Sequence, residues 1–262
     1  MSLTFDEFKD KAIKVLNINL NGYKIKRVKR RTDSLMRRHD IEDYDQCLHL
    51  LKNNPEFKAA YIGHFTINTS EFYRNPDNFK YLEQEILPGI LTRNNRVKIW
   101  SAPCSNGSEP YTVALILKEM GINSDRYQIL ASDLDPDILD TARRGIYKPS
   151  SLKNVPETVK DKYFQLIDSS EKRYQLDKTI INRVDFKNMD LINDNYQKNW
   201  DLILSRNFFI YLTKDLKDML TQKFVDVLKP GGYLFLGNTE FIFNAGQYGL
   251  EKEYLSFYKK VD

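Results

Sequence analysis

Short apolar strands that alternate with amphipathic helices from residue 97 onward are the feature that most constrains this chain. Residues 97–101 and 127–131 are predicted strands, and each is followed by a loop and then by a helix that begins at a proline, Pro110 or Pro136. The later predicted elements are a strand at 201–205, a helix at 213–228, and strands at 233–237 and 254–260. This alternation predicts a mostly parallel sheet covered by helices on both faces.

The pattern changes between residues 163 and 186. Residues 172–176 and 179–186 alternate between apolar and polar side chains around Asp177-Lys178. Such alternation around a turn predicts a small antiparallel hairpin inserted into the α/β domain. It could also serve as a strand pair on which a partner peptide docks by strand addition.

The first 74 residues read as helical. Thr4 and Glu7 have the spacing of a capping box. Apolar residues at helical spacing then predict helices at about 5–16, 23–39 and 44–51, and after Pro55. A further helix is predicted to begin at Asn75-Pro76 and to stop near Pro88-Gly89. We therefore expect an all-α domain over 1–74 and an α/β domain over 75–262, with the hairpin insertion at about 163–186.

Charge and composition exclude several classes of protein. The net charge is +4, and the basic residues concentrate between residues 24 and 38. A basic helix favours an acidic partner, although a merely solvated face is the alternative. Apolar runs are too short to span a bilayer, and the N-terminus lacks the pattern of a signal peptide. The two cysteines and three histidines have no zinc-ligand spacing, so we expect no metal and a reducing cytoplasm: Cys47, Cys104, His39, His49 and His64.

The loop after the first predicted strand reads SAPCSNGSEP over residues 101–110. It contains one glycine, Gly107, so it is neither a dinucleotide fingerprint nor a phosphate-binding P-loop. Glu109 would repel a pyrophosphate. A nucleoside ligand that carries positive charge suits this loop better, and the sulfonium and amino groups of S-adenosylmethionine match that description.

Two further strand ends carry polar groups. Asp133 follows the second strand, where a carboxylate can accept hydrogen bonds from ribose hydroxyls. Asp135 precedes Pro136 and is the better helix cap, which leaves Asp133 for the ribose. Arg206 to Tyr211 follow the 201–205 strand without the Pro-Pro element that is common in enzymes methylating base amino groups, and this disfavours a nucleic-acid substrate.

Taken together, these residues resemble the chemotaxis receptor glutamate methyltransferases, the CheR family. The match rests on residues 68–74 (NTSEFYR), 100–111, 131–135, 206–211 and, near the end, Gly237-Asn238-Thr239-Glu240. The resemblance spans essentially the whole chain. It implies a Rossmann-like class I methyltransferase sheet with a small inserted antiparallel β-subdomain, preceded by an all-α N-terminal domain that meets the receptor.

The resemblance also implies a set of site residues. Glu109 would hold the amino acid end of S-adenosylmethionine and Asp133 its ribose, with the other cofactor contacts at Asn68, Ser70, Arg74, Asp190, Leu191, Arg206 and Asn207. Arg74 and Tyr211 are the predicted catalytic residues, because they would position the substrate carboxylate. Ser108 and Asp190 depart from the family pattern, which has a glutamate and an asparagine there.

The implied activity is transfer of a methyl group from S-adenosylmethionine to glutamate side chains on the cytoplasmic methylation helices of chemotaxis receptors, leaving S-adenosylhomocysteine. We expect a cytoplasmic monomer, transiently at membrane-bound receptor arrays, that neither binds nucleic acid nor inserts into a membrane. Two alternatives are a nucleic-acid methyltransferase that grips phosphates with the basic helix, and a signalling module that binds S-adenosylmethionine without catalysis.

Overall fold

The computed structural model describes residues 2–66 and 70–261. These residues divide into two units: the first contains the described residues up to Thr66 together with Tyr211–Met219, and the second contains those from Ser70 to Ile210 and from Leu220 onward. We call them the helical unit and the sheet unit. The predicted boundary at residue 74 stays a prediction.

The regular elements include the predicted alternation of strands and helices, together with short elements that the sequence did not predict. The α-helices are α1 (Phe5–Leu16), α2 (Ile25–Arg38), α3 (Tyr44–Asn53), α4 (Pro55–Phe65), α5 (Pro76–Tyr81), α6 (Leu87–Arg93), α7 (Ser108–Glu119), α8 (Pro136–Arg144), α9 (Glu157–Tyr163), α10 (Lys178–Ile181) and α11 (Lys214–Val227). The strands are β1 (Val97–Ser101), β2 (Tyr127–Asp133), β3 (Ile146–Tyr147), β4 (Phe164–Asp168), β5 (Arg173–Leu176), β6 (Val184–Asn188), β7 (Trp200–Ser205), β8 (Leu228–Leu236), β9 (Leu250–Tyr254) and β10 (Phe257–Lys260). The short elements that the sequence did not predict are β3, α9, β4 and α10.

The helical unit contains α1 to α4, which confirms the predicted all-α front region. Thr4 and Glu7 form the predicted capping box: the Thr4 hydroxyl accepts from the Glu7 amide, and the Glu7 carboxylate accepts from the Thr4 amide at 2.8 Å. These bonds satisfy two amides that the first turn leaves unpaired. Phe8, Val28 and Cys47 are fully buried, so one apolar side of each helix forms the core.

The sheet unit is built on a seven-stranded sheet in the order β6-β2-β1-β7-β8-β10-β9. Strands β6, β2, β1, β7 and β8 pair in parallel, and β10 and β9 complete the sheet in antiparallel fashion. The inner strand β7 is buried at every position, as expected for a strand with helices on both faces. The Rossmann-like expectation is therefore confirmed.

The sequence predicted a hairpin that turns at Asp177-Lys178, and the structure shows that this position is wrong. The antiparallel hairpin consists of β4 and β5, which form a separate three-stranded sheet with β3. Asp177 instead caps α10, because its carboxylate accepts from the Thr179 amide at 2.6 Å. The following strand, β6, joins the main sheet parallel to β2.

Two other boundaries differ from the prediction. The helix expected to stop near Pro88-Gly89 continues through α6 to Arg93. A π-helical turn at Leu82–Ile86 joins α5 to α6, and the chain stays helical through Pro88, the second residue of α6. The last predicted strand, at 254–260, begins earlier and is two strands, β9 and β10.

Candidate active site

The carboxyl ends of β2, β1 and β7 lie side by side. These strands are neighbours in the sheet and run parallel, so the loops after them meet at one edge. This is the edge at which open α/β sheets bind ligands. Four of the predicted site residues lie at the ends of these three strands or in the loops and helix starts that follow them: Glu109, Asp133, Arg206 and Asn207.

The loop between β1 and α7 is held in one conformation. Gly107 has φ +82°, and a Cβ added there would lie 2.9 Å from the Cβ of Ala142. The Ser105 amide donates to the Asp133 carboxylate at 2.8 Å, and the Tyr147 hydroxyl donates to the Asn106 carbonyl at 2.8 Å. Glycine is therefore required at 107, and the loop backbone is fixed before any ligand binds.

Glu109, in the first turn of α7, is buried and has two partners. Its Oε1 accepts from the Ser101 hydroxyl at 2.7 Å, and its Oε2 lies 3.4 Å from Nη1 of Arg206. Burial raises the pKa of Glu109, and the Arg206 guanidinium opposes that rise. The pair brings the loops after β1 and β7 together, as the prediction of a shared pocket requires.

Arg206 directly follows β7 and is also buried. Its Nη2 donates to the Arg74 carbonyl at 2.7 Å and to Oδ1 of Asn75 at 2.9 Å. Its guanidinium carbon lies 4.6 Å from the ring centre of Phe235. Its Nε has no hydrogen-bond partner among the described residues. Arg206 therefore orders the segment that carries Arg74 while keeping one donor unused.

Asp133, the last residue of β2, is buried at the same edge. One carboxylate oxygen accepts from the Ser105 amide and the other from the Asp135 amide at 3.1 Å. Burial raises the pKa of Asp133 to about 6, although these amide donors favour its ionised form. A carboxylate has about four acceptor sites, so capacity remains for ribose hydroxyls. Asp135 caps α8, as predicted.

Asp190 and Leu191 follow β6. Oδ1 of Asp190 accepts from the Ile192 amide at 2.8 Å, and Oδ2 accepts from the side-chain amide of Asn193 at 2.8 Å. The Leu191 side chain is buried, and its carbonyl accepts from Nζ of Lys223 at 3.0 Å. An acid at 190 therefore stabilises its own turn, which gives a structural reason for aspartate where the family pattern has asparagine.

The predicted cofactor residues before α5 are only partly described. Asn68 lies outside the described residues. The Ser70 carbonyl accepts from the side chain of Asn106 at 3.3 Å, which ties this segment to the loop after β1. The half-buried Arg74 side chain makes no hydrogen bond or ion pair within residues 2–66 and 70–261, whereas Glu71 pairs with Lys153 at 2.7 Å. Arg74 is thus available to a ligand.

Glu240 is a residue that our site prediction omitted, although it belongs to the matched Gly-Asn-Thr-Glu segment. Its buried carboxylate accepts from the Asn207 amide at 2.7 Å, the Gly237 amide at 2.7 Å and the Ile210 amide at 3.2 Å. Burial raises the pKa of Glu240, and these amides oppose the rise. It shapes the loop after β7, where Asn207 has φ +61°. An acid just beyond the end of β8 was the signal available in the sequence.

Tyr211 belongs to the helical unit. Its ring lies under the guanidinium of Arg27, whose central carbon is 3.2 Å from the ring centre. Its carbonyl accepts from the Lys24 amide at 3.1 Å. The segment that carries Tyr211 is therefore anchored to the start of α2, and the predicted catalytic role of Tyr211 stays a prediction.

The edge formed by β2, β1 and β7 fits S-adenosylmethionine chemically. Its buried charges are mainly carboxylates, which suit a sulfonium and an ammonium group. Backbone amides hold Asp133 in place, and the Ser101 hydroxyl and Arg206 hold Glu109. Three buried serine hydroxyls and Nε of Arg206 have no partner among the described residues, so polar groups remain for a ligand: Ser105, Ser108 and Ser205. Buried polar groups without partners are uncommon in folded proteins and point to a missing ligand or water.

Two family models cover most of the chain. The model described as "CheR methyltransferase, SAM binding domain" matches residues 68–253, and the one described as "CheR methyltransferase, all-alpha domain" matches residues 3–66. The chain belongs to the CheR methyltransferase family. It is therefore a methyltransferase, and S-adenosylmethionine is its methyl donor.

Curated relatives of this CheR-family chain agree. It is 34% identical to the "Chemotaxis protein methyltransferase" of Listeria innocua, over 94% of this chain and 93% of the relative. It is 31% identical to the protein of that name from Borreliella burgdorferi, over 99% and 96%. It is 31% identical to the one from Escherichia coli, over 76% and 71%. The relatives thus match both the helical region and the sheet region.

Two further features of the described residues bear on other kinds of site. Within residues 2–66 and 70–261, no group of three His, Cys, Asp or Glu side chains is arranged to hold a metal ion. No helix in the same part of the chain has both the length and the apolar character needed to cross a membrane.

Proposed function

We propose that this CheR-family enzyme esterifies glutamate side chains of chemotaxis receptors, as a protein-glutamate O-methyltransferase. The names of its relatives support a role in chemotaxis. The nucleic-acid alternative gains no support from these relatives. The buried Arg27 and the half-buried Arg31 of the helical unit favour an acidic protein substrate, and they are the observation that carries the proposal.

Three cationic or titratable groups lie near one another in the helical unit, and none of them forms an ion pair with an acid among the described residues. Arg27 is 9% exposed, and within the same described residues its Nε and Nη1, Nε of Arg31 and Nε2 of His64 have no hydrogen-bond partner. Burial lowers the pKa of each, and the nearby charges that also lower the pKa of His64 are other basic residues. The undescribed residues 67–69 are Ile, Asn and Thr, which carry no ionisable group.

Unpaired buried cations are costly to a fold, because burial penalises the charged form. A carboxylate brought by a partner would relieve that cost and gain charge-assisted hydrogen bonds. The exposed side of α2 carries further basic residues, which would attract an acidic surface from a distance: Lys26, Lys29, Arg30, Arg37 and Arg38. We therefore assign α2 to docking of the acidic receptor helices.

The chemistry asked of the protein is mainly alignment. A glutamate carboxylate is already ionised near pH 7, so no general base is needed. A carboxylate oxygen forms a bond to the methyl carbon while the bond from that carbon to the cofactor's sulfur breaks, and the electron pair stays on sulfur. Alignment of reacting groups can contribute roughly 7–11 kcal/mol. We assign Arg74 to orient the carboxylate through its free guanidinium, and Tyr211 to a second positioning contact.

The remaining proposed roles concern the cofactor. Glu109 would accept hydrogen bonds from the ammonium group and Asp133 from the ribose hydroxyls. We place the other predicted contacts around the same ligand: Asn68, Ser70, Asp190, Leu191, Arg206 and Asn207. The carboxylates at this edge would also stabilise the positively charged sulfonium of the bound cofactor. That charge is lost when the methyl group is transferred and the sulfur becomes neutral.

The test is to incubate the protein with methyl-labelled S-adenosylmethionine and receptor-rich membranes, and in parallel with RNA and DNA. Mild alkali hydrolyses carboxyl methyl esters, so we expect volatile labelled methanol from the membrane sample alone. Alkali-stable label in nucleic acid would establish the nucleic-acid alternative. Cofactor binding without transfer to any acceptor would establish the non-catalytic alternative.

A further inference from the structure

The loop after Glu240 exposes two aromatic side chains. Phe241 is 55% exposed and Phe243 is 72% exposed, and their ring centres lie 4.7 Å apart at 77°. Each ring covers the other on one side only. We call Phe241 and Phe243 the phenylalanine pair.

The exposure of the pair does not come from a loose loop. The carboxylate of Glu240 anchors one end through the Gly237 and Asn207 amides. Between the two rings, the Ile242 amide donates to the Tyr258 hydroxyl at 3.1 Å. Beyond the pair, a turn at Ala245–Tyr248 is closed by backbone hydrogen bonds. The backbone is fixed and both rings are presented to the outside.

The pair lies beside the edge assigned to methyl transfer. Phe241 lies only a few residues after the end of β8 and directly follows Glu240. The Glu240 carboxylate accepts from the amide of Asn207, which lies in the loop after β7. A surface next to the reacting carboxylate meets whatever flanks that carboxylate on the substrate. We propose that the phenylalanine pair reads the substrate protein by packing on apolar side chains next to the target glutamate. This rests on the proposed glutamate methyltransferase activity.

The lack of charged side chains in this loop argues against a membrane as its partner, and its small area argues against a second copy of the chain. Residues 241–249 carry no charged side chain, in a chain of which 29% is charged. An interfacial membrane anchor normally combines apolar residues with basic ones, and this loop has none. A stable second copy needs a far larger interface than two rings supply. Aromatic anchors at the centre of a protein contact, with charges elsewhere, are the usual arrangement of a binding hot spot.

The experiment measures steady-state methylation of a purified, lipid-free receptor cytoplasmic fragment. We expect Phe241→Ser/Phe243→Ser to raise the KM for the fragment about tenfold. The affinity for S-adenosylhomocysteine should not change, because neither ring contributes to the cofactor residues. Phe243→Leu should keep most of the wild-type KM, since it preserves apolar area.

Val261→Ser is the matched control. Val261 is 43% exposed and follows β10, which runs antiparallel to β8, so it lies toward the opposite edge of the sheet. Its KM should equal that of the wild type. The inference is overturned if the double variant keeps the wild-type KM, if it loses cofactor affinity in parallel, or if the wild type methylates only lipid-embedded receptor and the variant fails only there. A wild type that methylates no receptor glutamate would instead overturn the proposed function.

Discussion

In the sheet unit the carboxylates of Glu109, Asp133 and Glu240 accept hydrogen bonds from fixed donors. In the helical unit, by contrast, Arg27 and Arg31 have buried N–H groups that find no acceptor in the part of the chain that the structure describes. The first arrangement is complete as far as its carboxylates are concerned, because they are held in place before a ligand arrives, as preorganised binding requires. The second is incomplete among the described residues, and an anion brought by a partner would complete it with charge-assisted hydrogen bonds. This difference indicates that the chain arranges its cofactor-binding groups by itself, whereas binding of the methyl-accepting protein depends on groups that this partner supplies.

The largest expected effect is at Arg74, a half-buried cation of the sheet unit to which the described residues give no hydrogen bond or ion pair. We expect Arg74→Ala to lower methyl transfer about a thousandfold, because the acceptor carboxylate loses its orienting contact. The melting temperature should hardly change, since the described residues give this side chain no bond to lose. A labelled-methyl assay measures the effect. Arg96→Ala, at an exposed arginine of the same unit, is the control, and near-normal turnover of Arg74→Ala would contradict the role.

Breaking the completed arrangement should be the next largest effect. Glu109→Gln leaves the guanidinium of Arg206 buried without a counter-charge, which costs about 3 kcal/mol of unfolding free energy. It should also weaken S-adenosylhomocysteine binding about a hundredfold, because a charge-assisted contact is lost. Urea denaturation and calorimetric titration measure the two effects.

The control for this change is Glu119→Gln, at the other end of α7. Glu119 pairs with Lys162 at 2.9 Å on the surface, where an ion pair contributes about 1 kcal/mol or less. If both variants lose the same small amount of stability, the pair of Glu109 and Arg206 is not the structural link between the loops after β1 and β7.

The incomplete arrangement can be tested through charge. Reversal of Arg30, Arg31 and Arg37 to glutamate should slow receptor methylation about tenfold at low ionic strength and flatten its salt dependence. The matched control reverses three exposed lysines that make no described ion pair, with the same change in net charge: Lys52, Lys178 and Lys252. An equal loss in both variants would mean that net charge, and not α2, attracts the receptor.

Cofactor affinity should depend on pH through Asp133. Ribose hydroxyls donate to the ionised carboxylate, and burial raises the pKa of Asp133 to about 6. The Kd for S-adenosylhomocysteine should therefore weaken as pH falls through about 6, by up to about tenfold at one unit below that pKa. Asp133→Asn should bind more weakly near pH 7 and show no such step. A wild-type Kd that is flat from pH 7.5 to 5 would exclude the ribose role.

The raised pKa of Asp133 also determines how its contribution to folding stability changes with pH. A carboxyl group whose folded pKa exceeds its ordinary 3.8 stabilises the fold most below that value. Its contribution is lost as pH rises through about 6. In the absence of cofactor, Asp133→Asn should therefore gain stability relative to the wild type as pH rises from about 4 to about 6, while cofactor restores the wild type.

The sequence predicted the site edge well because short-range patterns determine it. A strand, a single-glycine loop and a proline-led helix identify the loop after β1, and parallel strands then bring Glu109, Asp133 and Arg206 to one edge. The wrong hairpin had a different cause. Alternation around Asp177 resembles a turn, but Asp177 caps a short helix, and the next strand pairs with β2 far away in the chain.

The buried cations show a second limit of sequence reading. Arg27 and Arg31 belong to a run of basic residues, and such a run by itself indicates only a charged helix face. Which members turn inward depends on packing against Phe65 and Tyr211, at separations that no local pattern covers. Glu240 was missed for the same reason, since its partner amides at Asn207 and Ile210 are distant in sequence.

The smallest expected effect is a change in stability on substitution of Arg27, and it distinguishes the two arrangements most clearly. If Arg27 awaits a partner's anion, Arg27→Met should raise the unfolding free energy by about 1 kcal/mol, because a buried charge without a counter-ion is replaced by an apolar side chain of similar length. Its contact with Tyr211 and its 3.5 Å hydrogen bond to the Phe65 carbonyl oppose this gain. The same variant should raise the KM for the receptor fragment. Lys26→Met, on the exposed side of α2, is the control for both measurements.

A stabilised Arg27→Met with an impaired KM would mean that the helical unit gives up stability in order to hold a cation ready for its substrate. A destabilised variant with a normal KM would mean the reverse, namely that the packing of the Arg27 guanidinium on the Tyr211 ring only stabilises the helical unit. In that case Arg27 would resemble Arg206, whose contacts all lie within its own unit, and the contrast between the two units would rest on Arg31 and His64 alone.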